Sequence, residues 1–430
     1  MFAAKNELFT RPSGGYQISR SLRFNSADTA YLNRTPASAG NKQTWTLSAW
    51  VKRGALGAFN PIYSAGATSP RAYIIFNSSD KMDFRSVDSG NTEVIRLTTT
   101  QVFRDPSAWY HIVVAQDTTQ ATSSNRVKIY VNGTQITAFD TATYPTQNIS
   151  NLAINDALEQ NYGRYVNSPS DGYLSAYLTE TNFIDGQALT PSSFGETNAD
   201  TGVWQPKAYS GAYGTNGFEL NFSDNSNNTS TTLGKDSSGN GNNWTPNNFS
   251  VTAGAGNDSL VDSPTSYGTD TGVGGTVRGN YATLNPLKKK STATLSNGNL
   301  SLASSSATAY ATGLSTISPS SGYFYMEMTC VGSNTDRPWG IGLVETTAPD
   351  TASVTTASTF FVTNGSAANV NYYVGASNTA SLSTSSTWVA GDVISLAWDA
   401  SGTTGKFWVG INGVWYPSTI GGTVASNADV

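Results

Sequence analysis

Cysteine and histidine each occur once in the 430 residues, at Cys330 and His111. One thiol excludes an intrachain disulfide and any cysteine-rich zinc centre. One imidazole rules out a multi-histidine metal site and leaves a Ser-His-Asp arrangement a single position around which to form. Charge is scarce too. Asp, Glu, Lys and Arg make up 12% of the chain, with a net charge of -5, where soluble domains carry about a quarter. There is no basic footprint for nucleic acid and no polybasic stripe for a membrane surface. No apolar run reaches the roughly 18 residues of a spanning helix. The opening Met1–Glu7 also lacks the apolar stretch of about 7–15 residues that marks a signal peptide.

What fills the chain instead is Ser, Thr, Asn and Gly, together with 10 Trp, 21 Tyr and 38% hydrophobic residues. That much apolar area can be buried, so the polar richness does not signal disorder. The length suits two or three domains. The composition fits extracellular exposure while an export signal is missing. A virus particle assembled in the cytoplasm and released by lysis meets both conditions, with the virion as the expected location. A fragment cut from a secreted precursor would meet them too, but the initiating Met1 argues against it.

The dominant pattern is short alternating runs, with no long helical periodicity. Met1 to Gly15 is an irregular arm with stray apolar residues. Strands are then expected over 17–25, 44–53, 72–77, 93–98, 109–116 and 126–132. In the last of these Val127, Ile129 and Val131 share one face. Asn132-Gly133 follows directly, a hairpin signal because both central residues of that turn need positive φ. Trp109–Ala115 is apolar on both faces and belongs inside a sheet. Leu189–Gly195 reads as one capped helical turn, with Thr190 at the N-cap, Pro191 at the first position and a Leu189/Phe194 staple.

From Thr197 to Lys290 Asn, Ser, Gly, Thr and Asp dominate, with apolar islands at Phe218–Phe222, Trp244 and Phe249. Aromatic residues seldom recur in free linkers, so this stretch reads as a packed connector. Further strands are expected at 322–329, 339–344, 359–363, 371–374, 391–398 and 406–411, the last again followed by Asn-Gly (Asn412-Gly413).

Two resemblances organise these runs. Trp45–Val51, Trp109–Val114, Val127–Gly133 and Gly172–Tyr177, leading into Asp185–Thr190, resemble the laminin-G-like branch of the concanavalin A-type lectin fold. Ser296–Leu300, Gly322–Glu327, Ile341–Leu343, Gly391–Ser395 and Phe407–Trp415 resemble a SPRY domain. The pair, with Asp236–Trp244 between them, is similar to tail-fibre-like structural proteins of marine tailed phages. The expected fold class is therefore all-β: a concanavalin A-like jelly roll, then a SPRY-like sandwich, joined by a long Asn/Ser/Gly-rich connector. Its boundaries are an arm at 1–16, the lectin sandwich at 17–197, the connector at 198–290 and the second sandwich at 291–430. The SPRY pattern continues after its Asn-Gly-x-Trp hairpin, whereas 14 residues follow Tyr416 (430 minus 416). Either the native chain runs further or a neighbouring subunit completes the sheet.

The resemblance implies a tail-fibre protein that adheres to host-surface polysaccharide or to neighbouring phage structural proteins. Capsid decoration is the alternative and polysaccharide hydrolysis a third reading. No enzyme activity, nucleic acid or membrane insertion is expected, and by analogy with fibres the chain is a homo-oligomer, a trimer being the first guess. His111 lies mid-strand where the lectin family often has His, a structural position. Hydrolysis needs two acids on one face, and the usual Glu-x-Asp-x-x-Glu run is absent. Glu327 stands alone, Asp399 ends a strand, and Glu180 and Asp185 are not spaced to share a face. No cofactor is expected. Calcium stays open because laminin-G-like relatives bind it through loop oxygens. Here 223–228 and 236–243 are such loops, although neither matches an Asp-x-Asp-x-Asp-Gly pattern with a distal Glu. The expected contact residues are Arg337 and Trp339, then Tyr372 and Tyr373. Phe2, Leu8, Phe9 and Arg11 are expected to anchor the arm in the particle or exchange it between subunits.

Overall fold

A computed structural model describes residues 2–4, 15–166, 172–268, 276–305, 311–318, 321–331, 340–344, 359–364, 369–374, 377–383, 388–401, 406–416, 418–420 and 423–425. A sequence built of short alternating runs must pair its backbone N–H and C=O groups in ladders. It does so almost throughout, and the only helices among the described residues are single 3-10 turns. The fold is all-β. Two compact units divide the chain, one of residues 11–280 and the other of residues 1–10 with 281–430.

The first unit is a sandwich of two eight-stranded sheets. Thr44–Arg53 lies inside the first sheet, between Trp109–Asp117 and Ala176–Asp185. Beyond Trp109–Asp117 comes Val127–Val131, and beyond Ala176–Asp185 come Ser21–Phe24 and Ser259–Leu260. The second sheet runs from Phe139–Thr143 through Glu93–Val102, Lys81–Val87, Arg71–Phe76, Asn60–Ala65, Gln160–Tyr162 and Tyr31–Arg34 to Thr245–Asn247. Alternation sends Leu47, Ala49 and Val51 of one sheet and Ile74, Phe84 and Leu97 of the other into one shared core. The Asn132-Gly133 turn has φ of 48° and 81°, the left-handed pair that the two-residue hairpin requires.

The unit does not end at residue 197. Phe218–Leu220 pairs with Ala176–Asp185, Thr245–Asn247 pairs with Tyr31–Arg34, and Ser259–Leu260 pairs with Ser21–Phe24. Phe218, Leu220, Phe222, Leu233, Trp244 and Phe249 all join the main core. Residues expected from composition to form a connector thus supply strands and core as far as Asn280. Each contributes only a short island, so no window shows a periodic pattern. The turn near residue 190 is shorter than expected, a 3-10 turn over Pro191–Ser193. The Thr190 hydroxyl pairs with Ser192 Oγ at 2.8 Å and caps no backbone N–H.

The second unit has a five-stranded sheet ordered Phe2–Ala4, Tyr323–Thr329, Val393–Asp399, Lys406–Ile411, Val414–Tyr416. A four-stranded sheet comprises Gly340–Val344, Thr359–Asn364, Asn369–Val374 and Ser377–Ser383. Met326, Ile394, Leu396, Val409 and Ile411 from the first and Ile341 from the second share a core with Trp388 and Cys330. Asn412 and Gly413 repeat the left-handed hairpin turn, with φ of 50° and 79°. The start of the chain is an edge strand here, Phe2 standing opposite Met326.

Candidate functional site

Both faces of the first sheet in residues 11–280 are covered. Its outward positions Thr46, Ser48, Trp50 and Lys52 are all buried. Segments on either side of residue 230 lie over them: Leu189, Phe194, Tyr209 and Tyr213 pack on Val113, Tyr130 and Ile184. Further along, Asp258 pairs with buried Arg23 at 3.0 Å and Asp262 with buried Lys52 at 2.7 Å.

The lone histidine lies under this cover. His111 is fully buried, stacked on Trp50 at 4.8 Å and facing Trp204 at 5.9 Å. The Trp204 ring occupies a slot where a Cβ on Gly133 or Gly195 would come within 2.7 Å or 2.6 Å of it. An indole N–H can only donate, and Trp204 Nε1 stands 2.9 Å from His111 Nδ1. Nδ1 therefore accepts, the proton sits on Nε2, and Nε2 donates to Ser48 Oγ at 2.9 Å. This is the wrong tautomer for activating Ser48, since a general base needs its free lone pair toward the hydroxyl. Burial also pushes the imidazole down to about 3, which keeps it neutral.

Folding brings together two acids that are far apart in sequence. Glu180 sits at a bulge where Ala176–Asp185 exchanges one neighbour, Ser21–Phe24, for another, Phe218–Leu220. It carries a φ of 47°, and bulges re-aim side chains in this way. Tyr16 donates to Glu180 Oε2 at 2.8 Å and its hydroxyl stands 3.5 Å from Glu219 Oε1. Tyr213 reaches Glu219 Oε2 at 3.2 Å. The Tyr16 phenol thus fills the space between the carboxyls that a glycosidic oxygen would need. Burial, then the Glu219 charge, pushes Glu180 up to about 8. The unfolded chain gives up this proton above 4.5 while the folded one keeps it. The stabilisation is therefore full below pH 4.5 and lost as pH rises through 8. Glu180→Gln, which cannot ionise, should gain on the wild type by several degrees of Tm between pH 5 and pH 9. Equal shifts of the two proteins would show that Glu180 is ionised throughout.

The second sheet presents a different outer face. Core-facing Leu32, Tyr162, Ile74, Phe84 and Leu97 alternate with a row that the register aligns across six strands: Asn33, Asn161, Ser64, Tyr73, Arg85 and Arg96. Aromatic groups stand on both sides of Asn161. On one, Tyr165 meets Tyr73 edge-on at 5.1 Å and Phe59 at 5.7 Å. On the other, Tyr31 lies 6.2 Å from Tyr173 with the Arg164 guanidinium 4.8 Å over its ring. Phe59, Tyr31, Tyr165 and Tyr173 are half-buried. The row ends in ion pairs, Arg96 with Asp83 at 2.9 Å and Arg85 with Glu93. Asn161 is fully enclosed, and neither atom of its amide has a hydrogen-bond partner among the described residues. Leaving such a group unpaired costs about 1–3 kcal/mol.

Arg337 and Trp339 lie outside the described residues, as do Leu8, Phe9 and Arg11. Tyr372 and Tyr373 are in the Asn369–Val374 strand, Tyr372 opposite Val362 and Tyr373 opposite Phe361. Phe2 is in the edge strand of the second unit. Of the two loops considered for calcium, that of Asp236 spends its carboxylate on backbone N–H groups: Oδ1 accepts from Glu219 and Ser238, Oδ2 from Asn242. Asp224 Oδ1 likewise accepts from Ser226 N at 3.0 Å. Sequence reasoning missed the aromatic face because its members come from five separate segments. The Asp83/Arg85 and Arg71/Tyr73 alternation was the available signal.

Residues 25–192 match the family described as the concanavalin A-like lectin/glucanases superfamily. No curated protein matches the chain. Among solved structures, the heptameric SAP-like pentraxin of Limulus polyphemus is 12% identical, with a TM-score of 0.31, covering 41% of this chain and 80% of that one. Domains LG4-5 of the mouse laminin α1 chain are 10% identical, with a TM-score of 0.32, covering 96% and 80%. The CBM40 of the Ruminococcus gnavus IT-sialidase, bound to α2,3-sialyllactose, is 11% identical, with a TM-score of 0.26, covering 41% and 92%.

Proposed function

We propose that this lectin-like chain is a non-catalytic virion appendage protein of the tail-fibre type, adhering to host-surface polysaccharide through the outer face of its second sheet. The observation that carries the reading is the pair of half-buried aromatic groups, Tyr165/Phe59 beside Tyr73 and Tyr31/Tyr173, on the outer face of this sheet. Sugar rings have apolar C–H faces and hydroxyl edges. Aromatic rings cover the former, and the partly exposed Asn33, Arg85 and Arg96 of the same row can pair with the latter. The other large face of the sandwich is already covered by the chain's own residues 189–213 and by the segment of Asp258 and Asp262. In the second unit, the strand order and the Asn412-Gly413 hairpin support a SPRY-like module as a further contact surface.

Glycan-array binding of the full chain, followed by titration against the polysaccharide it selects, tests this. Tyr165→Ala and Tyr173→Ala should each weaken binding at least about ten-fold, the equivalent of about 1.4 kcal/mol, with thermal unfolding unchanged. Silence on the array together with contacts to the capsid lattice would turn the reading to decoration. Reducing ends released from the polysaccharide would turn it to hydrolysis, with Glu180 and Glu219 as the pair to mutate.

A further inference from the structure

We propose that Lys52 and Asn280 become joined by an intramolecular isopeptide bond, which the chain forms by itself with Asp262 carrying the proton. Lys52 occupies an outward position on the interior strand Thr44–Arg53 and is completely buried. Its ammonium makes two close contacts of different kinds, to the Asp262 carboxylate at 2.7 Å and to the Asn280 side-chain carbonyl at 2.8 Å. A carboxylate alone would serve to compensate a buried charge. A carboxamide carbonyl beside the same nitrogen is an acyl group held against an amine.

The surroundings fix each partner. Asp262 lies alongside Gly279 in a parallel bridge, which brings residues 262 and 280 to the same place. Its second oxygen accepts from Trp109 Nε1 at 3.1 Å. Asn280 Nδ2 donates to the Ser107 carbonyl at 2.7 Å. This sets the orientation of the amide, because the flipped form would put an N–H against the lysine and a carbonyl against a carbonyl. With a C=O bond of about 1.23 Å, the nitrogen lies no more than about 4 Å from the carbon it would attack. The Tyr177 ring, 5.7 Å from the ammonium, and the Trp109 ring complete the enclosure. An amine and an acyl carbon held together in this way have a very high effective concentration.

The chemistry balances without any further reactant. One Nζ proton passes along the 2.7 Å hydrogen bond to Asp262 Oδ2, freeing the lone pair. Nζ then adds to Asn280 Cγ, forming the N–C bond and a tetrahedral intermediate whose oxygen bears the negative charge. Asp262 hands its proton to Nδ2 and accepts a second one from Nζ. The Cγ–Nδ2 bond breaks as the carbonyl re-forms, and ammonia leaves, taking the remaining proton from Asp262 as ammonium. Asn280 is exposed, so the leaving group has a route out. Nothing is oxidised or reduced.

Intact-mass spectrometry of the full chain decides the matter. The wild type should be lighter by one ammonia than its sequence requires. Digestion should yield one branched fragment linking the Lys52 peptide to the Asn280 peptide. Asn280→Ala, a change at an exposed position, should remove both signs while circular dichroism stays that of the wild type. Asp262→Asn should leave Lys52 and Asn280 unjoined. A folded wild type with its complete sequence mass overturns the proposal, as does an ammonia deficit that survives Asn280→Ala. Joining that persists in Asp262→Asn would overturn the role given to Asp262.

Discussion

Trp244→Ala is expected to cost the unit of residues 11–280 about 3–5 kcal/mol, the range for emptying a large aromatic site in a packed core. Trp244 has no exposed surface, and its ring lies 4.9 Å from Phe218, 5.0 Å from Tyr162 and 6.4 Å from Tyr63. Those rings belong to both sheets, so the cavity would open where the layers meet. Its neighbourhood cannot close easily. A Cβ on Gly234 would come within 1.9 Å of the Trp244 carbonyl, so the backbone there is already at contact. The following residues 245–247 are held in a ladder with Tyr31–Arg34. Urea unfolding of the full chain, followed by circular dichroism, measures the loss. If the segment were a separable connector, the transition of this unit would not move.

The second large effect is expected in acid. The folded state keeps His111 neutral down to about 3, whereas the unfolded chain protonates it near 6.5. Between those values only the unfolded chain takes up the proton. The contribution is therefore present above pH 6.5 and lost progressively as pH falls toward 3, on the order of 4 kcal/mol in all. Glu180 has the opposite sign over an overlapping window, gaining stability as pH falls from 8 to 4.5. The two contributions should consequently offset one another between pH 4.5 and 6.5. Relative to the wild type, His111→Gln should gain stability toward acid, and Glu180→Gln should lose it. Chemical denaturation at pH 4.5, 5.5 and 6.5 reads the slopes. A parallel pH dependence in His111→Gln and wild type would mean that the imidazole is not held neutral.

How much of this could be read beforehand depended on how local the signal was. Thr44–Arg53 and Lys406–Ile411 were expected at their observed bounds, because each is one unbroken alternating run ending at a definite turn. Both Asn-Gly pairs adopt the expected left-handed φ values, which their chemistry alone selects. Asn60–Ala65 escaped notice because it contains Pro61, and the register shift between Pro61 and Tyr63 breaks its period. Gln160–Tyr162 is too short to show a period. Residues 198–280 looked like connector because their anchors, such as Leu233 and Trp244, act singly. The face around Asn161 was illegible for the same reason, since no stretch of sequence records which residues lie beside it.

Asn280 is the last residue of its unit and is held by Lys52 and Ser107. With the proposed Lys52–Asn280 bond in place, tension arriving along the chain from residue 281 would not begin by peeling an edge. It would be delivered at once to Thr44–Arg53, a strand flanked on both sides by long antiparallel neighbours. Rupture there demands that many rungs fail together.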